Sequence, residues 1–260
     1  MKNNGSIHNK RNRELKQMEV FLVAAVFILI TAIILIIHTM QREQEFNAHN
    51  TDFQKAIVHG AAYAVDQHLQ SKNKSLRLFL DEYSAQVFRL NRFPGDERAA
   101  DDIKVRLQQR FDDFFTFTIT DKMGEPSLTD IDSLVGEACR IDLHNYSRTV
   151  TRDSKQVKNE VFIHPQPYNY HYDIMAPVYE HGKEPRIFFS SFYLKKIVDI
   201  LRTHEVPGHN LMLVRQSKPE VIEVTREGAR DVLTRERELS KEELKRITVY
   251  ENIQGSDWRL

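Results

Sequence analysis

Hydrophobic and polar positions follow three successive patterns along the chain. The first is an apolar run of eighteen residues without a charge, from Val20 to Ile37. The second, over residues 41–92, spaces its apolar residues three or four positions apart, the period of an amphipathic α-helix. From Phe114 onward, short aromatic and β-branched stretches alternate with turn residues and predict strands. The order predicts an α+β fold, with a long helix followed by a mostly antiparallel sheet and flanking helices.

The apolar run predicts one transmembrane helix over residues 20–38. Eighteen residues make roughly 27 Å of helix, close to the ~30 Å hydrocarbon core of a bilayer. A cleaved signal peptide is the rival interpretation, but its apolar region is shorter and ends at a small-x-small cleavage site. Here the run continues into His38, Thr39 and Met40. We therefore expect an uncleaved anchor that holds the chain in the lipid bilayer.

The distribution of charge predicts the orientation of that anchor. Lys and Arg together number 37, as do Asp and Glu, and this balance argues against a nucleic-acid partner. Residues 1–19 carry five basic and two acidic residues, a net charge of +3. The positive-inside rule keeps this stub in the cytoplasm. The main body is then expected on the periplasmic or extracellular side of the inner (cell) membrane, in a single-pass topology.

The outer part divides into a helical region, residues 41–113, and a sheet region, residues 114–260. The helical region contains the long helix, with a bend predicted at Ser71–Ser75, and a second helix from Glu97 to Asp113. Further helices are expected at Leu134–Tyr146, Leu194–Thr203 and Thr234–Arg246. We predict strands at Phe114–Thr120, Glu160–Ile163, Tyr170–Val178, Arg186–Phe192, Leu211–Arg215, Val221–Thr225 and a closing stretch Ile247–Trp258.

The chain contains no recognised catalytic signature, and we do not expect an enzyme. Six histidines lie in the second half of the chain, but no two have the H-x₃-H spacing of a helical metal site. We therefore predict neither a metal nor a cofactor. Cys139 is the only cysteine, which excludes an intramolecular disulfide, and its neighbours indicate packing rather than a catalytic thiol.

The densest cluster of unusual side chains lies between Ile163 and Pro177. Strand alternation places Tyr170, Tyr172 and Ile174 on one face and His171, Asp173 and Met175 on the other. We expect one face to be buried under loops. Small-ligand pockets combine aromatic walls with a few polar groups. The candidate ligand-binding residues are His164, Tyr168, Tyr170, His171, Tyr172 and Asp173. The alternative is that these side chains only edge a half-exposed sheet.

Several stretches carry a resemblance to a known family. They are FTITDKMGEP, LVGEACRIDLHNY, FIHPQPYNYHYDIMAP, RIFFSSF and VPGHNLMLV, followed by a closing G-x-x-W at Gly255 to Trp258. With the basic stub, the single span and the long helix, residues 40–260 resemble the extracytoplasmic Cache sensors of bacterial receptors, of the kind found ahead of GGDEF diguanylate cyclase modules. The resemblance implies a PAS-like sheet that binds a small molecule.

We expect a sensor that transmits ligand binding across the membrane to a cyclic-di-GMP or kinase output module. No such module lies in this chain, so the chain is expected to be the N-terminal part of a longer receptor. The apolar stripe of residues 41–92 predicts either a homodimer seam or packing on the chain's own sheet. The alternative is a membrane-anchored scaffold whose outer domain binds a protein partner and no metabolite.

Overall fold

The computed structural model describes residues 4–121, 123–128, 136–150, 161–164, 170–180, 185–217 and 219–260. The side chains of residues 4–17, 19, 20 and 162–164 are outside this description. Contacts divide the chain into two compact units, Met1–Gln54 and Lys55–Leu260.

The first helix, α1, runs from Asn4 to Glu82. It contains an eighteen-residue window of mean hydropathy 3.0, none of which is buried. Thr31 donates its hydroxyl hydrogen bond to the carbonyl of Phe27 at 2.9 Å, so the helix itself satisfies this polar group, as hydrocarbon surroundings require. The structure thus confirms one N-terminal helix, among the described residues, that is long and apolar enough to span a membrane.

Within the second unit, α1 buries one continuous stripe of side chains. The stripe contains Val58, Ala61, Ala62, Val65, Leu69, Leu76, Phe79 and Leu80.

The bend predicted at Ser71–Ser75 is wrong, because α1 passes through these residues without a break. Lys72 and Asn73 lie on the buried side, and each has a polar partner that makes its burial tolerable: Asp113 for Lys72 and Arg77 for Asn73. The interruption falls at Tyr83, after which α2 covers Ser84–Arg92.

Helix α3, Glu97–Arg110, starts at Asp96, whose side chain accepts a hydrogen bond from the Ala99 amide at 3.1 Å. Such an N-cap satisfies a backbone donor that the helix leaves free. Ile103 and Leu107, one turn apart, are buried, whereas Val105 lies on the opposite side and is exposed.

The first sheet has four antiparallel strands: β1, Phe114–Ile119; β2, Val161–His164; β3, His171–Val178; and β4, Arg186–Tyr193. Their order is β1-β4-β3-β2. Helices α1 to α3 contribute to the large core on one face. Helix α4, Glu137–Thr149, packs on the other face through Cys139, Leu143 and Tyr146. Both faces of the central strands are therefore buried.

After helix α5, Lys195–His204, the chain forms a second antiparallel sheet. Its strands are β5, Met212–Arg215; β6, Val221–Thr225; β7, Gly228–Ala229; and β8, Trp258–Arg259, in the order β7-β6-β5-β8. Helix α6 covers only Lys241–Arg246, because Ser240 and Glu243 form a capping box that starts it there. The predicted α+β class is confirmed, but the strands form two small sheets, and the closing strand shortens to two residues.

Candidate functional site

Strand β3 distributes the predicted site residues over two separate environments. Tyr172 and Ile174 face the core that contains α1, whereas Met175 packs with α4. Tyr170, just before the strand, is also buried in the α1 core. The sequence predicted this alternation but expected only one buried face. Tyr168 lies outside the described residues. His164 ends β2 and pairs through its backbone with His171, while its side chain is outside the description.

His171 and Asp173 meet Cys139 of α4 on one face of the sheet. The Cys139 Sγ lies 3.7 Å from His171 Nε2. The same Nε2 lies 3.5 Å from Asp173 Oδ1, and both side chains are fully buried. Ser191, the β4 neighbour of Asp173, donates its hydroxyl to Asp173 Oδ1 at 2.5 Å. We call Cys139, His171, Asp173 and Ser191 the cysteine cluster.

Burial dominates the electrostatics of the cysteine cluster. It raises the pKa of Asp173 well above its usual range, and the hydrogen bonds from Ser191 and Cys139 only partly oppose this effect. Burial also raises the pKa of the Cys139 thiol, and the neighbouring charge of Asp173 acts in the same direction. A thiol so disfavoured as a thiolate is a poor nucleophile. The sulfur, nitrogen and oxygen atoms, all within 4.8 Å of one another, instead form a set that can hold a metal ion.

Tyr172 connects the opposite face of β3 to α1. Its hydroxyl lies 3.2 Å from His68 Nε2, and its ring packs on Phe192 with centroids 5.5 Å apart. Burial raises the pKa of Tyr172 far above its usual range, and the nearby carboxylate of Asp113 adds to the rise. Tyr172 is therefore a neutral, fully buried contact between sheet and helix.

Tyr170 lies at a cavity of about 650 Å³. The cavity is lined by residues of the α3–β1 connection, the end of β4, α5 and the segment around β7. Tyr170 is only 4% exposed, yet its hydroxyl has no hydrogen-bond partner among the described residues. The Arg230 guanidinium packs over its ring at 5.2 Å from the centroid. A buried hydroxyl in this situation normally hydrogen-bonds to water or a ligand.

No protein-family model matches this chain, and no curated protein matches it.

Both signs of charge line the cavity. Its acidic residues are Asp112, Asp113, Asp199 and Asp231, and its basic residues are Lys195, Lys196 and Arg202. Asp113 pairs with Lys72 of α1, and both side chains are almost completely buried. Asp199 pairs with Arg202 at 2.9 Å, and this pair is much more exposed. The arrangement can bind a small polar molecule that carries both a cationic and an anionic group.

Of the predicted site residues, the structure places one at the cavity, two in the cysteine cluster and one against α1. Sequence reasoning missed the acidic pair Asp112 and Asp113 and the basic pair Lys195 and Lys196. A local signal existed for both. The acidic pair directly precedes the predicted strand that starts at Phe114, and the basic pair follows the predicted strand that ends at Phe192 by three residues. Because the two strands are antiparallel neighbours, the start of one lies beside the end of the other.

Proposed function

We propose that residues 41–260 form the extracytoplasmic, Cache-like ligand-sensing domain of a bacterial transmembrane receptor. In this proposal residues 20–38 anchor the chain in the inner (cell) membrane and the basic stub stays in the cytoplasm. The observation that carries the proposal is the cavity beside Tyr170. It combines substantial volume, an aromatic wall and charged groups of both signs, the features of a small-molecule site, and its lining residue Tyr170 has a buried hydroxyl without a partner among the described residues.

The cavity favours a zwitterionic ligand. A cationic amino group would lie near the carboxylates of Asp112 and Asp231, and a carboxylate near the ammonium groups of Lys195 and Lys196. The Tyr170 hydroxyl would donate to an oxygen of the ligand or accept from its amino group. Asp173, one of the predicted ligand-binding residues, lies in the cysteine cluster instead.

Asp113 supports a route from ligand to membrane. Its carboxylate lines the cavity and also pairs with Lys72 of α1. A ligand that competes for this carboxylate changes the relative free energies of two arrangements of α1, and only such a difference in affinity can shift an equilibrium. The same helix contains the apolar segment. In the proposal it carries the shift to a cyclic-di-GMP or kinase module outside this chain. The homodimer seam over residues 41–92 stays a prediction.

The scaffold alternative makes a different demand on the same domain. A protein-interaction domain needs an outer surface and does not require a cavity lined by charges of both signs. The tyrosine side chains that line the cavity beside Tyr170 do not fill it, and this open volume supports the sensing proposal over the scaffold alternative.

The test uses the full chain in detergent micelles, with a panel of amino acids, amines and carboxylates. A ligand at one hundred times its Kd adds about 2.7 kcal/mol to the free energy of unfolding and so raises Tm. Tyr170→Phe removes only the hydroxyl of this lining residue and should weaken binding roughly 3- to 10-fold, the loss expected for one hydrogen bond. Tyr179→Phe, at an exposed tyrosine away from the cavity lining, is the matched control and should bind normally.

Two results would contradict the sensing proposal. One is a panel in which no compound raises Tm. The other is a ligand whose affinity falls equally in Tyr170→Phe and Tyr179→Phe, because that ligand would bind elsewhere.

A further inference from the structure

The cysteine cluster presents three different metal-ligating atoms to one point inside the protein. Cys139 comes from α4, and His171 and Asp173 come from alternate positions of β3. All three side chains are fully buried. Their thiol sulfur, ring nitrogen and carboxylate oxygen lie within 4.8 Å of one another. This convergence lies on the face of β3 opposite Tyr172, so it is independent of the proposed sensing cavity.

Two of the three separations between the ligand atoms match those in a tetrahedral zinc site. Zinc binds thiolate sulfur at about 2.3 Å, imidazole nitrogen at about 2.0–2.1 Å and carboxylate oxygen at about 2.0–2.2 Å. Tetrahedral angles then separate sulfur from nitrogen by about 3.6 Å and nitrogen from oxygen by about 3.4 Å. The corresponding distances here are 3.7 Å and 3.5 Å. Both agree to about 0.1 Å with the tetrahedral values, and the third separation, between the Cys139 sulfur and the Asp173 oxygen, is at most 4.8 Å.

Charge balance favours a divalent cation at this place. A thiolate and a carboxylate carry two negative charges, which a divalent cation neutralises, and the histidine stays neutral as a ligand. A buried site of zero net charge avoids the desolvation cost of an uncompensated ion. The thiolate selects zinc over calcium and magnesium, because those harder cations prefer oxygen ligands.

Ser191 supplies the support that a ligating carboxylate needs. Its hydroxyl donates to Asp173 Oδ1 at 2.5 Å and so orients the carboxylate. The ring of Phe115 lies 5.1 Å from that of His171 and closes the site on another side. Ser190, the residue before Ser191, offers a contrast. Ser190 is equally buried but pairs across the sheet with Ile174, and its hydroxyl has no partner among the described residues.

We propose that Cys139, His171 and Asp173 bind one zinc ion, with Ser191 as a positioning residue for the carboxylate. The ion ties α4 to the central strands of the first sheet. The fourth coordination position is left to water or another ligand. The competing explanation is a metal-free hydrogen-bonded cluster of the same four side chains.

The test measures metal binding by the full chain in detergent. After chelation and removal of the chelator, zinc is titrated and counted by elemental analysis, and cobalt(II) replaces zinc as an absorbing probe. We expect one zinc per chain, a higher Tm with zinc, and a thiolate-to-cobalt charge-transfer band. His171→Gln should abolish stoichiometric binding. His144→Gln, at a half-buried position of the same helix α4 outside the cysteine cluster, should leave it intact.

The two serines provide a gentler comparison that does not risk unfolding the domain. Ser191→Ala should weaken zinc affinity about 10- to 100-fold, the usual effect of losing an outer-shell hydrogen bond. Ser190→Ala should leave the affinity unchanged. The proposal is overturned if the unmutated chain shows no cobalt charge-transfer band, or if zinc binds equally well to Ser191→Ala, Ser190→Ala and His171→Gln.

Discussion

The buried ion pair between Lys72 and Asp113 leads to a strong prediction about stability. The side chains are only 9% and 6% exposed. The ammonium also lies 5.1 Å from the Phe111 ring centroid and 4.8 Å from that of Phe192. Lys72→Met would keep much of the apolar stem but leave the Asp113 carboxylate buried without its cation. Removing one partner of a buried pair costs about 3–5 kcal/mol, so we expect the free energy of unfolding to fall by this amount.

A double-mutant cycle separates the pair from the packing around it. Asp113→Asn alone should also destabilise, because it leaves a buried ammonium. The double variant Lys72→Met/Asp113→Asn should lose much less than the sum of the two single losses, since neither charge is then left alone. Arg110→Met breaks the more exposed Arg110–Glu82 pair and is the control, with a far smaller effect.

Trp258 is a natural probe for these measurements. It is the only tryptophan and is fully buried, so its fluorescence reports unfolding of the second unit in denaturant. The reasoning is refuted if Lys72→Met destabilises no more than Arg110→Met, or if the two single losses simply add in the double variant.

Three further predictions concern individual groups, each measured on the full chain in detergent. Burial raises the pKa of Glu223 from 4.5 to about 7. As pH rises from 4.5 to about 7, Glu223 loses its proton in the unfolded chain before it does so in the folded one. The free energy of unfolding should therefore fall by about 3 kcal/mol over this pH range, and Glu223→Gln should remove this pH dependence. Burial, with a smaller contribution from Lys72, lowers the pKa of His68 from 6.5 to about 4. As pH falls from 6.5 to about 4, His68 takes up a proton in the unfolded chain before it does so in the folded one. Acidification should therefore lower the free energy of unfolding by about 3 kcal/mol, and His68→Gln should remove this loss. For each of these two variants, the free energy of unfolding minus that of the wild type is plotted against pH. The two plots should slope in opposite senses, and two flat plots would contradict both pKa assignments. Ser240→Ala should cost α6 about 1 kcal/mol of local stability, seen as faster hydrogen exchange at the Glu243 amide, and unchanged exchange there would argue against the cap.

The sequence predicted most strands of the two sheets because their hydrophobic patterns are local. β6 was predicted with the bounds that the structure gives, and β3 began one residue later than expected. The helix predicted from Thr234 was too long at its N-terminal end. Alternating charges alone do not start a helix, whereas the N-cap at Ser240 does. The bend at Ser71–Ser75 was predicted from polarity, which cannot reveal that Lys72 has a buried partner 41 residues away.

The candidate sites were less predictable, because they depend on contacts between distant parts of the chain. Alternation correctly separated His171 from Tyr172, but it carries no information on what packs against each face. Cys139 lies 32 residues before His171, and only the packing of α4 on the sheet brings the two together. The metal spacing sought along one helix was therefore the wrong pattern for a set of ligands divided between a helix and a strand.

The burial of the sole cysteine has a practical consequence for studying the intact protein in a bilayer. Cys139 is wholly enclosed, so thiol reagents should not reach it while the domain is folded. An added cysteine, for example Phe46→Cys or Phe53→Cys at exposed positions of α1, then becomes the one reactive thiol on each chain. Disulfide cross-linking between chains can thus map the predicted homodimer seam residue by residue, without first removing the native cysteine and disturbing the core around it.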